Sequence, residues 1–87
     1  MVSKSIQIKN ASGLHLRPTG MLCNEAIKYQ SSVKFRFHND LTNAKSVLSV
    51  LGACIKCGDE IEFIGEWADE KEALDAMVRL VEGGLGE

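Results

Sequence analysis

The chain has 87 residues, of which 45% are hydrophobic and 25% are charged, a composition ordinary for a single soluble globular domain. Its formal net charge is −2 at pH 7, so the basic face needed to bind a nucleic-acid backbone is not expected. Residues 1–5 are followed by no apolar stretch of signal-peptide type, and no apolar run approaches the roughly 18 residues of a membrane span, so we predict a cytoplasmic protein without membrane insertion.

The first half of the chain predicts a strand, a helix and a second strand. Apolar and polar residues alternate over 2–8, which indicates a half-buried strand that ends in a Ser-Gly turn at 10–13. Apolar residues then recur every three or four positions, which predicts a helix from Leu16 to about Lys28. Alternation returns over 33–38 and predicts a strand with one wet face.

Four further elements complete the predicted order. They are a short strand at 41–43 after a turn at 39–40, a helix at 46–51, a strand at 60–67, and a helix that begins after Asp69 and ends at 83–84. Asp69 and Glu72 have the spacing of a capping box, and Trp67 is expected to pack. A sheet whose strands have one polar face needs a covering layer only on its apolar face. We therefore predict an α+β open-faced β-sandwich, in which three helices cover one face of a four-stranded antiparallel sheet (βαββαβα).

The most informative segment is residues 12–18, Ser-Gly-Leu-His-Leu-Arg-Pro. Pro18 suits the first turn of a helix, so His15 stands where a loop becomes a helix. Free backbone amides and the positive end of the helix dipole meet there and favour an anion, and Arg17 adds a planar set of donors suited to phosphate. An imidazole in such a place is a candidate nucleophile for a phosphoryl group. The alternative is a surface loop histidine beside a solvated arginine.

Two segments of the chain resemble a known family. Residues 13–18 resemble the active-site signature of HPr, the histidine-containing phosphocarrier family of the bacterial sugar phosphotransferase system. Residues 45–52, Lys-Ser-Val-Leu-Ser-Val-Leu-Gly, are similar to the regulatory serine segment of Gram-positive members, and the tail at 82–87 is similar to theirs. The resemblance extends over the whole chain, so residues 1–87 are expected to form a single HPr-like domain.

The resemblance implies a phosphoryl carrier rather than an enzyme, with no cofactor and no metal. His15 would accept a phosphoryl group from enzyme I through its δ1 nitrogen and pass it to sugar-specific IIA domains, while Arg17 would contact the group. Ser46 would be phosphorylated by the ATP-dependent HPr kinase/phosphorylase, although a serine at that place is also a good N-cap. The presence of both His15 and Arg17 argues against a regulator that has lost transport. We expect a monomer.

The apolar residues of the short predicted helix have two interpretations: all of them belong to the core, or some remain exposed for docking. The resemblance implies docking by residues of this helix and of the segment near His15, namely Leu16, Thr19, Gly20, Val47, Leu48 and Leu51. Gly20 is either a point of close approach or a tolerated surface glycine. Leu48 and Leu51 stand where many Gram-positive members have methionine, which leaves binding to a catabolite-control transcription factor open.

Cys54 and Cys57 form a Cys-x-x-Cys pair, which by itself suggests a redox or zinc half-site. A structural zinc site needs four ligands, and the remaining candidates are only Cys23, His15 and His38. We therefore interpret the cysteines as incidental. A small Cys-x-x-Cys redox protein is the alternative function from a different class.

Overall fold

The structure is a computed structural model of the chain and describes residues 1–86. Its elements are β1 (Val2–Gln7), α1 (Leu16–Ala26), β2 (Ser32–Phe37), β3 (Asp40–Asn43), α2 (Val47–Gly52), β4 (Glu60–Glu66) and α3 (Glu70–Glu82). The strands form one antiparallel sheet in the order β1-β4-β2-β3, so the last strand lies between the first two. The predicted α+β sandwich and its element order are confirmed. No helix within residues 1–86 has the length and apolar character needed to cross a bilayer.

The helices cover one face of the sheet, and the core lies between the two layers. The strand residues that face the helices are buried and apolar: Ile6, Val33, Phe35, Ile61 and Phe63. The opposite face carries polar residues in register, such as Arg36, which lies beside Glu62 with 3.5 Å between Nη1 and Oε1. This alternation is what a two-residue period produces when only one face is covered.

The turn between β2 and β3 lies one residue earlier than the predicted 39–40. Its central residues are His38 and Asn39, with φ angles of 51° and 68°. Two positive φ angles in a two-residue hairpin loop match the right-handed twist of the flanking strands, and asparagine tolerates that conformation well. Asp40 consequently begins β3 instead of belonging to the turn.

The first helix ends at Ala26, two residues before the predicted end near Lys28. The amide of Ile27 still bonds to the carbonyl four residues back, but those of Lys28 and Tyr29 bond to carbonyls three residues back. The last turn therefore tightens into a 3₁₀-like turn, a common ending of an α-helix that does not disturb the apolar spacing.

The predicted capping box at the start of α3 is wrong. The Asp69 side chain caps no helix amide and instead accepts hydrogen bonds from the amides of Ser31 (2.9 Å) and Gln30 (3.2 Å). The hydrogen bond from Ser31, followed by that from Gln30, holds the pKa of Asp69 below its ordinary value. Asp69 thus ties the start of α3 to the loop between α1 and β2. This long-range contact replaces the reciprocal hydrogen bonds between Asp69, Glu72 and the helix amides that a capping box would form.

Trp67 does not pack as predicted, because 70% of its surface is exposed. Its φ angle of 74° lies in the left-handed region and ends β4 at Glu66. The amide of Trp67 donates to Glu70 Oε1 at 2.8 Å, which holds the loop in this form. The change of backbone direction removes Trp67 from the inward–outward alternation on which the prediction relied.

Candidate functional site

His15 is the N-cap residue of α1, with an extended backbone (φ −78°, ψ −171°) and an exposed side chain. Its imidazole makes no capping hydrogen bond to the helix. The first amides of an α-helix have no intrahelical acceptor, which here leaves those of Leu16 and Arg17 at the helix start, because Pro18 has no N–H. An exposed nucleophile, two backbone donors and a helix dipole therefore meet at one place.

Arg17 lies in the first turn of α1, and its side chain is exposed. That first turn contains no acidic residue. Among the ion pairs found within residues 1–86, none involves Arg17. Its guanidinium group is thus exposed at the same helix start as His15, and contact with an anion there stays a prediction.

The loop before His15 is packed tightly against the segment between α2 and β4. Gly13 has a φ angle of 63°, and a Cβ atom built there would lie 2.6 Å from the carbonyl oxygen of Ile55 and 2.8 Å from the Cα atom of Lys56. The amide of Leu14 donates to the same Ile55 oxygen at 3.0 Å. Only glycine fits at residue 13, both for its conformation and for the space.

A cavity of about 240 Å³ lies beside the imidazole. It is lined by Leu14, His15, Leu51, Cys54, Ile55 and Lys56. The sequence analysis considered the segment 54–56 only as part of a Cys-x-x-Cys pair, since nothing local relates it to a histidine about 40 positions earlier. A larger depression of about 520 Å³ around Arg36 and Glu62 brings none of the predicted site residues together.

Three of the predicted docking residues are apolar and exposed. The exposed fractions are 71% for Leu16, 83% for Leu48 and 39% for Val47. Leu51 is half-buried and lines the cavity beside His15, whereas Val50 is fully buried. The interpretation that all apolar residues of α2 belong to the core is therefore wrong. We call Leu16, Val47, Leu48 and Leu51 the apolar rim.

Gly20 lies one helical turn after Leu16, on the same side of α1. It is partly exposed, and a Cβ atom built there would meet no atom within 4 Å. No close approach within the described chain requires glycine here, so this position remains open to a partner.

Thr19 cannot be a docking residue, and this prediction is wrong. The side chain is fully buried, and its Oγ1 donates a hydrogen bond to the carbonyl oxygen of Leu14 at 2.9 Å. Thr19 lies on the face of α1 that packs against the core, together with the buried Leu22 and Cys23.

Asn10 is also buried, and the sequence analysis did not name it as a site residue. Its Nδ2 donates to the carbonyl oxygen of Gly13 at 2.7 Å. Asparagine is common in turns because its short side chain can hydrogen-bond backbone groups of the turn.

Ser46 is the N-cap of α2, as predicted, and its Oγ accepts a hydrogen bond from the Ser49 amide at 3.3 Å. The preceding Lys45 donates from Nζ to the carbonyl oxygen of Tyr29 at 2.7 Å, which anchors the start of α2 to the turn after α1. Ser46 lies at one end of α2, and Leu51, on the wall of the His15 cavity, lies at the other. At a rise of about 1.5 Å per residue the two are about 7.5 Å apart along the helix.

The three cysteines are free thiols in different surroundings. Cys23 lies in the core, and burial raises the pKa of its thiol. Cys54 and Cys57 are exposed. Within residues 1–86, no group of three or more His, Cys, Asp or Glu side chains is arranged to hold a metal ion.

The chain matches the family model described as PTS HPr component phosphorylation site over residues 2–83. It is 32% identical over 87 residues to the phosphocarrier protein HPr of Treponema pallidum, covering 100% of this chain and 99% of that protein. It is 32% identical over 82 residues to the HPr-like protein Crh of Halalkalibacterium halodurans, covering 94% and 98% respectively. The crystal structure of HPr-C-His from Thermoanaerobacter tengcongensis superposes with a TM-score of 0.97 at 34% identity, covering 100% of this chain and 98% of that one.

Proposed function

The chain belongs to the HPr family of phosphocarrier proteins of the phosphotransferase system, and on this premise we propose that His15 is the residue that carries the phosphoryl group. The observation that supports this most directly is the exposed imidazole at the start of α1, which takes no part in capping the helix. A side chain without a structural bond at a helix start is free to accept and release a group.

The proposed donor is phosphorylated enzyme I, and the proposed acceptors are sugar-specific IIA domains in the cytoplasm. A neutral imidazole nitrogen attacks phosphorus, the N–P bond forms, and the bond between phosphorus and the donor breaks. Negative charge on the three equatorial oxygens is then stabilised by the amides of Leu16 and Arg17 and by the Arg17 guanidinium. Transfer to a IIA domain reverses these steps, with imidazole as the leaving group.

Docking is proposed to use the apolar rim of Leu16, Val47, Leu48 and Leu51, with Gly20 at its edge. Leu16 directly follows His15 and Leu51 lines the cavity beside it, so the rim provides apolar area near the imidazole that a partner can bury. The expectation that the carrier is a monomer stays a prediction. The same rim is the surface available to a catabolite-control transcription factor.

The test is the intact mass of the chain after incubation with phosphoenolpyruvate and a matched enzyme I. We expect a gain of one phosphoryl group, located on His15 by fragmentation under non-acidic conditions and lost on mild acid treatment. Omission of phosphoenolpyruvate is the control. No gain in mass, or a stable adduct on another residue, would refute the proposal.

Arg17→Lys is expected to slow transfer from enzyme I by about threefold to tenfold. Lysine keeps the charge but loses the planar fork of donors that matches phosphate oxygens. Far-UV circular dichroism should be unchanged, because the side chain is exposed. The measurement is the rate of phosphoryl transfer to His15 in both proteins. Equal rates would show that Arg17 supplies only diffuse charge.

Replacing Cys54 and Cys57 together with serine is expected to leave the transfer rate within about twofold of wild type. Both thiols are exposed, and although Cys54 lines the cavity beside His15, the proposed transfer uses no thiol. Transfer assays combined with metal analysis test this expectation. About one zinc per chain in the wild type, lost in the double variant, would instead support the Cys-x-x-Cys interpretation.

A further inference from the structure

Three successive backbone carbonyls just before α1 each accept a hydrogen bond from within the domain. Asn10 Nδ2 donates to the oxygen of Gly13 at 2.7 Å, and Thr19 Oγ1 donates to that of Leu14 at 2.9 Å. The amide of Thr19 donates to the oxygen of His15, also at 2.9 Å. A single residue, Thr19, therefore satisfies the carbonyls of the two peptides that flank the Cα atom of His15.

Both residues act from beneath the site. Thr19 is 0% exposed and Asn10 is 5% exposed, so neither can touch a docking partner or a phosphoryl group held on the surface. The carbonyl oxygens of Gly13 and Leu14 must face these buried donors and hence the interior.

The orientation of these carbonyls has an electrostatic consequence. A carbonyl oxygen carries partial negative charge and would repel a phosphoryl group, whereas an amide hydrogen attracts it. Because the oxygens of Gly13 and Leu14 are held inward, the front of the helix start is left to the amides of Leu16 and Arg17. Donors fixed in advance stabilise a transition state most effectively, since they need not reorient as charge develops.

We propose that Thr19, assisted by Asn10, is a positioning residue for phosphoryl transfer at His15. It fixes the peptides that precede the imidazole, and with them the direction of the nucleophile and of the backbone donors. This inference rests on the function proposed above. It also gives Thr19 a role in the transfer step in place of the docking role that its burial rules out.

The test compares Thr19→Val with Thr19→Ser. Valine keeps the branched shape and removes the hydroxyl, whereas serine keeps the hydroxyl and loses the methyl group. Enzyme I and phosphoenolpyruvate are used with the carrier as the varied substrate, under conditions in which urea titrations show every protein folded. For Thr19→Val we expect kcat to fall about tenfold, since small misplacements of reacting groups are costly. KM should change by less than about twofold, because a fully buried side chain makes no contact with enzyme I. Thr19→Ser should restore kcat.

Amide chemical shifts supply a second readout that does not depend on enzyme I. In Thr19→Val the resonances of Leu16 and Arg17 should move, and in Thr19→Ser they should stay close to wild type. If Thr19→Val does not fold, Asn10→Asp decides the matter, because it keeps the side-chain shape and places an acceptor against the Gly13 carbonyl. The same loss of kcat at constant KM is expected for that variant.

Several outcomes would overturn the inference. These are a wild-type kcat in Thr19→Val, a rise in KM with kcat unchanged, or losses in the valine and serine variants that simply follow their stability. Failure of the wild-type chain to take up phosphate on His15 is a different result. It would contradict the proposed function itself, and the positioning role would fall with it.

Discussion

His15→Ala is expected to abolish the acid-labile phosphoryl adduct completely while leaving the fold intact. No other side chain at the start of α1 can replace the lost nucleophile, since Arg17 is permanently protonated and Leu16 is apolar. The free energy of unfolding should change by less than about 0.5 kcal/mol, because the imidazole is exposed and makes no capping bond. Intact mass after incubation with phosphoenolpyruvate and enzyme I measures the adduct, and urea titration measures the stability.

The second histidine provides the matched control for this experiment. His38 is exposed in the turn between β2 and β3, where its φ angle of 51° is tolerated by asparagine. His38→Asn should therefore keep both the fold and the full yield of adduct. An adduct that persists in His15→Ala and disappears in His38→Asn would move the acceptor to the hairpin and contradict the proposal.

Phosphorylation of Ser46 by a kinase is expected to slow transfer from enzyme I to His15 on the order of a hundredfold at low salt. The new group adds a charge of about −1.5 to −2 at the start of α2, about 7.5 Å along the helix from Leu51 on the wall of the His15 cavity. A partner that delivers an anionic phosphoryl group must approach this charge, and a hundredfold slowing corresponds to a repulsion of about 2.7 kcal/mol. A hydrated phosphate on Ser46 also hinders a docking partner from burying the adjacent Val47 and Leu48.

The fold of α2 should survive this modification. Its N-terminal end favours negative charge, and phosphate oxygens can accept the hydrogen bond from the Ser49 amide that Ser46 Oγ accepts now. The effect should therefore appear in the transfer rate and not in the helix content. It should weaken as salt rises, because the screening length is about 10 Å at 0.1 M ionic strength.

Two variants separate the effect of negative charge at residue 46 from the effect of helix capping. Ser46→Asp should slow transfer only about twofold to threefold, having less charge and fewer acceptor oxygens than a phosphate. Ser46→Asn is its neutral counterpart, as asparagine caps helices equally well, and should transfer at the wild-type rate. Rates for wild type, both variants and kinase-treated protein are compared at low and high salt. Equal rates in all four would leave Ser46 with its capping role alone.

Local sequence patterns were sufficient wherever one element's own period or cap determined the outcome. The alternation of apolar residues identified β1, β2 and β4, a turn signal identified β3, the three- to four-residue spacing identified α1 and α3, and Ser46 was correctly recognised as the N-cap of α2. The segment 12–18 was enough to place His15 and Arg17 at a helix start, because a turn glycine and a first-turn proline restrict the backbone on both sides. These features depend on neighbours within one or two turns.

Tertiary contacts determined the remaining features. A side chain can form a hydrogen bond with a backbone group far away in the sequence instead of the local one that the sequence pattern suggests. Asp69 had the spacing of a capping box, yet it bonds to the amides of Gln30 and Ser31, which only the folded chain brings near. Thr19 lies on a helix whose outer face was predictable, but its hydroxyl points inward to Leu14. The cavity beside His15 needed Ile55 and its neighbours, which are adjacent in space because the Leu14 amide bonds across to them. The sequence alone thus determined the elements and the place of His15 at a helix start, whereas the packing of two distant loops determined the shape of the cavity beside it.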